Sequence, residues 1–90
     1  MIPSWAFAAD KASIRYVALG DSYTIGTGAR LSESWPVLVT IQMQKKGFPV
    51  DLVGNLGVDG WTSQNLIDDE LPRLILLKPD IVTLMIGVND

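Results

Sequence analysis

The chain has 90 residues, 48% of them hydrophobic and 19% charged, with no cysteine and no histidine. That length holds one small domain, the apolar share excludes a disordered chain, and a formal net charge of −3 argues against a nucleic-acid or anionic-membrane partner. The missing residue types exclude disulfides, a thiolate nucleophile, cysteine or histidine metal sites, and an imidazole base.

No apolar run approaches the roughly 18 residues of a membrane span. Residues 1–13 read as a flexible terminus or, because Ala6-Phe7-Ala8 has small-x-small spacing, as the remnant of a signal peptide. Export and a cytoplasmic location therefore both stay open. Ile14 to Leu19 is β-prone and ends at Gly20, a first strand. Residues 20–32, rich in Gly, Ser and Thr, read as a loop. Ser32 or Ser34 caps a helix with Pro36 in its first turn and Trp35, Leu38 and Ile41 at helical spacing. Lys45, Lys46 and Gly47 supply its stop.

Val50 to Val53 forms a second strand, closed by a turn over residues 54–57. Thr62 caps a second helix, with Trp61 and Leu66 spaced as a hydrophobic staple. Pro72 is expected to break or kink that helix after Leu71, with a further turn to Leu77. After Lys78-Pro79-Asp80, Ile81 to Ile86 is a third strand, whose near-continuous apolar character predicts cover on both faces. Right-handed crossovers then favour a flavodoxin-like α/β fold, a parallel sheet of order 2-1-3 between helices on opposite faces. The carboxyl ends of the strands would gather Gly20-Asp21-Ser22, the loop Asn55–Gly60 and Gly87-Val88-Asn89-Asp90 at one crevice.

Each of these residues has a chemical and a plain reading. A serine on a tight turn after a buried strand suits a nucleophile, yet Gly-Asp-Ser is also an ordinary turn. Asn89 has an amide able to donate to an oxyanion, and Asn at a strand end is also a turn residue. Gly60 offers an unobstructed N–H or simply a positive-φ turn position. Gly26-Thr27-Gly28 lacks the third glycine of a dinucleotide loop and the lysine of a P-loop, so a nucleotide site carries little weight.

In order, Gly20-Asp21-Ser22, Asn55-x-x-x-x-Gly60 and Gly87-x-Asn89-Asp90 resemble the first three blocks of the GDSL/SGNH hydrolase superfamily. The stretches YVALGDSYTIGTGA, NLGVDGWTSQNL and KPDIVTLMIGVND are similar to bacterial GDSL esterases. The resemblance implies a three-layer α/β/α fold and hydrolysis of carboxylic esters through a serine acyl-enzyme, without metal or organic cofactor. It makes Ser22 the nucleophile and an oxyanion N–H donor, Gly60 a second N–H donor and Asn89 the side-chain donor. Gly20, Asp21, Asn55, Gly87 and Asp90 support the motifs. The family's fourth block, a D-x-x-H supplying base and acid, has no counterpart here.

Without a base the serine hydroxyl stays protonated. Asp59, Asp68, Asp69, Glu70 and Asp90 are the carboxylates available as substitutes. Asp68, Asp69 and Glu70 read as a solvated helix face, and exposed carboxylates are poor bases for a hydroxyl. Residues 14–90 are therefore expected to be the amino-terminal half of a hydrolase domain, truncated to a βαβαβ unit. Its partners would be a small-molecule, lipid or sugar ester and the missing carboxyl-terminal half. On its own the chain is expected to be inactive. The alternative is a non-catalytic module that keeps the crevice to bind an acyl or glycan ligand.

Overall fold

The computed structural model describes residues 13–90, so the expectations for Ala6-Phe7-Ala8 lie outside the described residues. The chain forms β1 (Ile14–Gly20), a short helix α1 (Ser22–Ile25), a 3₁₀ turn (Leu31–Glu33), α2 (Trp35–Lys45) and β2 (Val50–Asn55). Then α3 (Ser63–Asn65), a π turn (Leu66–Glu70) and α4 (Leu71–Leu77) follow without a break, and β3 (Ile81–Met85) closes the order. The three strands are parallel, in the order β2-β1-β3. This is the sheet expected from the crossover rule.

Alternation along β1 divides the core into two layers. Tyr16 and Ala18 pack with Val50, Met43 and Leu52 on the α2 face. Val17 and Leu19 pack with Leu56, Leu66, Leu74 and Leu77 on the α4 face. Successive side chains of a strand point to opposite faces, so one central strand serves both layers. The helices accordingly lie on opposite sides of the sheet. Tyr16 and Thr83 also join hydroxyls across β1 and β3 at 2.7 Å, while Asp80 Oδ2 accepts the Arg15 N–H at 2.8 Å where β3 begins.

The pairing of β1 with β2 contains an irregularity. Tyr16 faces Leu52, but Val17 faces Gly54, so Val53 is an extra residue in β2. Such a bulge advances one strand against its neighbour. Beyond it, Asn55 stands opposite Ala18.

Several expectations need correction. The segment read as a loop contains α1, because Asp21 supplies an N-cap and Gly26, in the left-handed region at φ 84°, ends the turn. In α2 the buried positions are Pro36 and Thr40, with Met43 on the core below them; Leu38 and Ile41 of the expected apolar spacing are exposed. Thr40 is accommodated there because its hydroxyl donates to the Pro36 carbonyl at 2.7 Å. Pro72 does not break its helix. It stands in the first turn of α4, where its missing N–H costs little, and the irregularity falls earlier, in the π turn. Strand β3 is not covered on both faces either: Ile81, Val82, Leu84 and Met85 are all exposed. It pairs with β1 alone, at the sheet edge.

Candidate active site

β1 ends at Gly20, and the next residues turn sharply into α1. Asp21 is buried, and its Oδ1 accepts the Tyr23 N–H at 3.0 Å. Its carbonyl accepts the N–H groups of Thr24 and Ile25, both at 3.1 Å. Asp21 thus holds the turn from both its side chain and its backbone. Ser22 is the first residue of α1, half-buried, at the edge of a cavity of about 380 Å³. Tyr23, Gly26, Thr27, Ala29 and Asp59 line the rest of it.

The loop after β2 is tied to this turn. Asn55 Nδ2 donates to the Thr24 carbonyl at 2.9 Å, and Asn55 Oδ1 accepts the Gly57 N–H at 3.1 Å. Gly57 is packed so tightly that a Cβ would come within 2.8 Å of both the Asp21 carbonyl oxygen and the Ile25 nitrogen. Only a residue without a side chain lets these backbones meet. The sequence reading missed Gly57, whose signal was a glycine two residues after an Asn that caps its own loop. Gly60 lies further along at φ 76°, exposed, in a turn closed by the Trp61 N–H on the Val58 carbonyl. A positive φ there favours glycine.

The segment after β3 is tied to the same loop. Asn89 Nδ2 donates to the Trp61 carbonyl at 2.9 Å, next to Gly60. An amide nitrogen has two hydrogens, so a second donor remains on Asn89. Gly87 leaves β3 at φ 124°, and Asp90 accepts the Ser63 N–H at 2.7 Å and the Ser63 hydroxyl at 2.8 Å. These bonds hold the Asp90 carboxyl below the usual aspartate range, with the backbone N–H the larger cause. Thr62, as expected, caps α3, accepting the Asn65 N–H through its hydroxyl.

The five carboxylates separate clearly. Asp68 and Asp69 are exposed, as expected of a solvated face. Asp90 is engaged by Ser63, and Asp59 is the one of the five that lines the cavity beside Ser22. Glu70 contradicts the sequence reading. It is fully buried, with Oε1 accepting the Gly20 N–H at 3.0 Å. Burial raises its carboxyl above the usual glutamate range, opposed by the Gly20 N–H and Arg73 and reinforced by Asp21. The signal was present: Glu70 is four residues after Leu66 and four before Leu74, on the apolar stripe.

Among the described residues, no group of three or more acidic, histidine or cysteine side chains converges to hold a metal ion. No described helix is long and apolar enough to cross a membrane.

Comparison with known proteins identifies relatives of the same fold. An arylesterase of Vibrio mimicus is 33% identical over 84 residues, covering 92% of this chain and 41% of its own length. The crystal structure of TesA superposes with a TM-score of 0.76 at 27% identity, covering 84% of this chain and 42% of that one. A lipolytic protein of the G-D-S-L family from Desulfitobacterium hafniense DCB-2 gives a TM-score of 0.68 at 28% identity, over 87% of this chain and 41% of its own. The chain thus spans about two-fifths of the length of these relatives. Residues 18–90 match the GDSL-like lipase/acylhydrolase family, and with its three-stranded parallel sheet the chain belongs to that family.

Proposed function

We propose that residues 14–90 are the amino-terminal half of a serine ester hydrolase and carry its nucleophile and oxyanion hole. The observation that supports this reading is the set of direct hydrogen bonds joining the three loops: Asn55 to Thr24, Asn89 to Trp61, and Asp90 to Ser63. Ser22 attacks the ester carbonyl, its hydroxyl proton passing to a base outside this chain. The N–H groups of Ser22 and Gly60 and the free hydrogen of the Asn89 amide receive the negative charge that develops on the carbonyl oxygen. The alcohol leaves, and water releases the acid from the acyl-serine.

The base and its orienting acid belong to a carboxyl-terminal half, which also covers β3. The exposed apolar residues of that strand and the two-fifths coverage of the relatives support this division. Donors alone, without a base, leave only about 10³–10⁴-fold over water in a worked serine-hydrolase case. The isolated 90-residue chain is accordingly inactive in practical assays.

The test is hydrolysis of p-nitrophenyl acyl esters of graded chain length by the complete gene product. Ser22→Ala is expected to lower kcat by at least about 10³-fold. Full activity in Ser22→Ala would overturn the assignment. Specific binding of an acyl or glycan ligand by a complete gene product without hydrolysis would favour the non-catalytic module.

A further inference from the structure

The mechanism leaves Glu70 unused, although its burial is costly. Its Oε2 has no hydrogen-bond partner among the described residues, and Oε1 reaches a backbone N–H fifty residues away in sequence. Packing alone gives no reason for an acid here. A leucine would continue the stripe of Leu66, Leu74 and Leu77 without the penalty of a half-satisfied buried carboxyl.

The place it reaches is informative. Gly20 is the last residue of β1, and its N–H is taken by a side chain where a strand interior would use a neighbouring carbonyl. The same residue abuts Thr24, whose hydroxyl is likewise buried and unpartnered, and the Met85 carbonyl at the end of β3. Gly20 is therefore where β1, β3 and α1 meet. The π turn delivers the carboxyl to this junction: the Leu71 N–H bonds the Leu66 carbonyl, five residues back, and Glu70 is the last residue of that widened turn. Such turns recur at functional sites.

We propose that Glu70 is a positioning residue for the nucleophile, fixing the backbone of Gly20-Asp21-Ser22 through the Gly20 N–H. This deepens the reading of Ser22 as nucleophile and rests on it for its catalytic meaning, though the structural claim stands separately. The carboxyl acts on the turn through the backbone. Of the charged groups facing it, Asp21 comes from the turn itself and Arg73 from α4, while α3 (Ser63, Gln64 and Asn65) carries none. The state of the turn therefore follows the protonation of one buried acid, on which Asp21 and Arg73 act in opposite senses.

Two measurements test this. In the 90-residue chain, the Gly20 amide is followed by ¹H–¹⁵N NMR against pH, together with the Glu70 carboxyl carbon. A single shared step is expected, above the ordinary glutamate range, with smaller concerted shifts at Asp21 and Ser22. Glu70→Gln, which keeps an acceptor oxygen, retains the Gly20 hydrogen bond and removes the step. A Gly20 amide without a step in the native chain, or one that keeps it in Glu70→Gln, overturns the proposal. If the isolated chain gives no dispersed spectrum, the same titration is read in the complete gene product.

There, Glu70→Ala is expected to lower kcat about 10²-fold, as for a misplacement near 1 Å, at unchanged KM. Glu70→Gln restores kcat and flattens the pH profile through the Glu70 step. Equal loss in both variants, or a loss confined to KM, argues against positioning. Should Ser22→Ala retain activity, the nucleophile assignment fails, while the titration still decides whether Glu70 governs the turn.

Discussion

β1 and β3 lie side by side, paired in parallel, and both are apolar; only their surroundings differ. The last five residues of β1 are buried, whereas four of the five residues of β3 are exposed. The carboxylates associated with their ends differ in the same sense. Behind β1, Glu70 is enclosed and its carboxyl is raised; beyond β3, Asp90 is exposed and lowered by Ser63. An apolar run reports what a strand is able to bury, and position in the sheet decides whether it does.

The sharpest way to break this contrast is to truncate one leucine in each strand. Leu19, 1% exposed, touches both the sheet and the α4 layer, and Leu19→Ala is expected to cost about 2–5 kcal/mol. Leu84 is 61% exposed, and Leu84→Ala should stay within about 0.5 kcal/mol. Urea unfolding of both variants of the 90-residue chain decides it; equal losses there would mean that β3 is covered by self-association. Gly57→Ala comes next. Its methyl group would meet backbone of the turn after β1, so the loss should be about 1–3 kcal/mol, with altered amide shifts at Asp21 and Ile25.

The two acids give smaller effects of opposite sign. A folded-state carboxyl raised above its unfolded value binds more protons in the fold, so Glu70 makes stability fall as pH rises from the ordinary glutamate value through the raised one. Glu70→Gln should flatten that decline, and unfolding midpoints at several pH values will show it. Asp90 is lowered, so its contribution is present above the ordinary aspartate value and is lost as pH falls through the lowered one. Asp90→Asn should therefore show a slight loss at neutral pH that vanishes in acid. A pH-independent difference would assign the Ser63 contact to geometry alone.

Much of this was legible in the sequence, for identifiable reasons. Short apolar runs separated by caps gave the strands within two residues of their ends and, with crossover handedness, the sheet order. The three loops were found because each carries a glycine beside a polar residue at a strand's carboxyl end. Three matters were hidden. Glu70 follows Asp68 and Asp69, so three acids in a row read as one solvated face, although the stripe through Leu66 and Leu74 passes through the third. α1 occupies only four residues in a Gly- and Thr-rich stretch, and its existence depends on the Asp21 cap more than on helical spacing. The exposure of β3 depends on what packs against it, which its own composition does not encode.

The irregular pairing at Val53 gives β2 a tolerance in length that composition does not reveal. In unbroken register Asn55 would face Leu19; with the bulge it faces Ala18 and reaches the Thr24 carbonyl. Deleting the extra residue would close the bulge and leave Asn55 opposite Ala18, whereas adding one to β2 would carry Asn55 on to Leu19 and turn it to the other layer. In this part of the chain a shorter strand is the tolerated change, so related proteins should lose the bulge more readily than they gain a residue in β2.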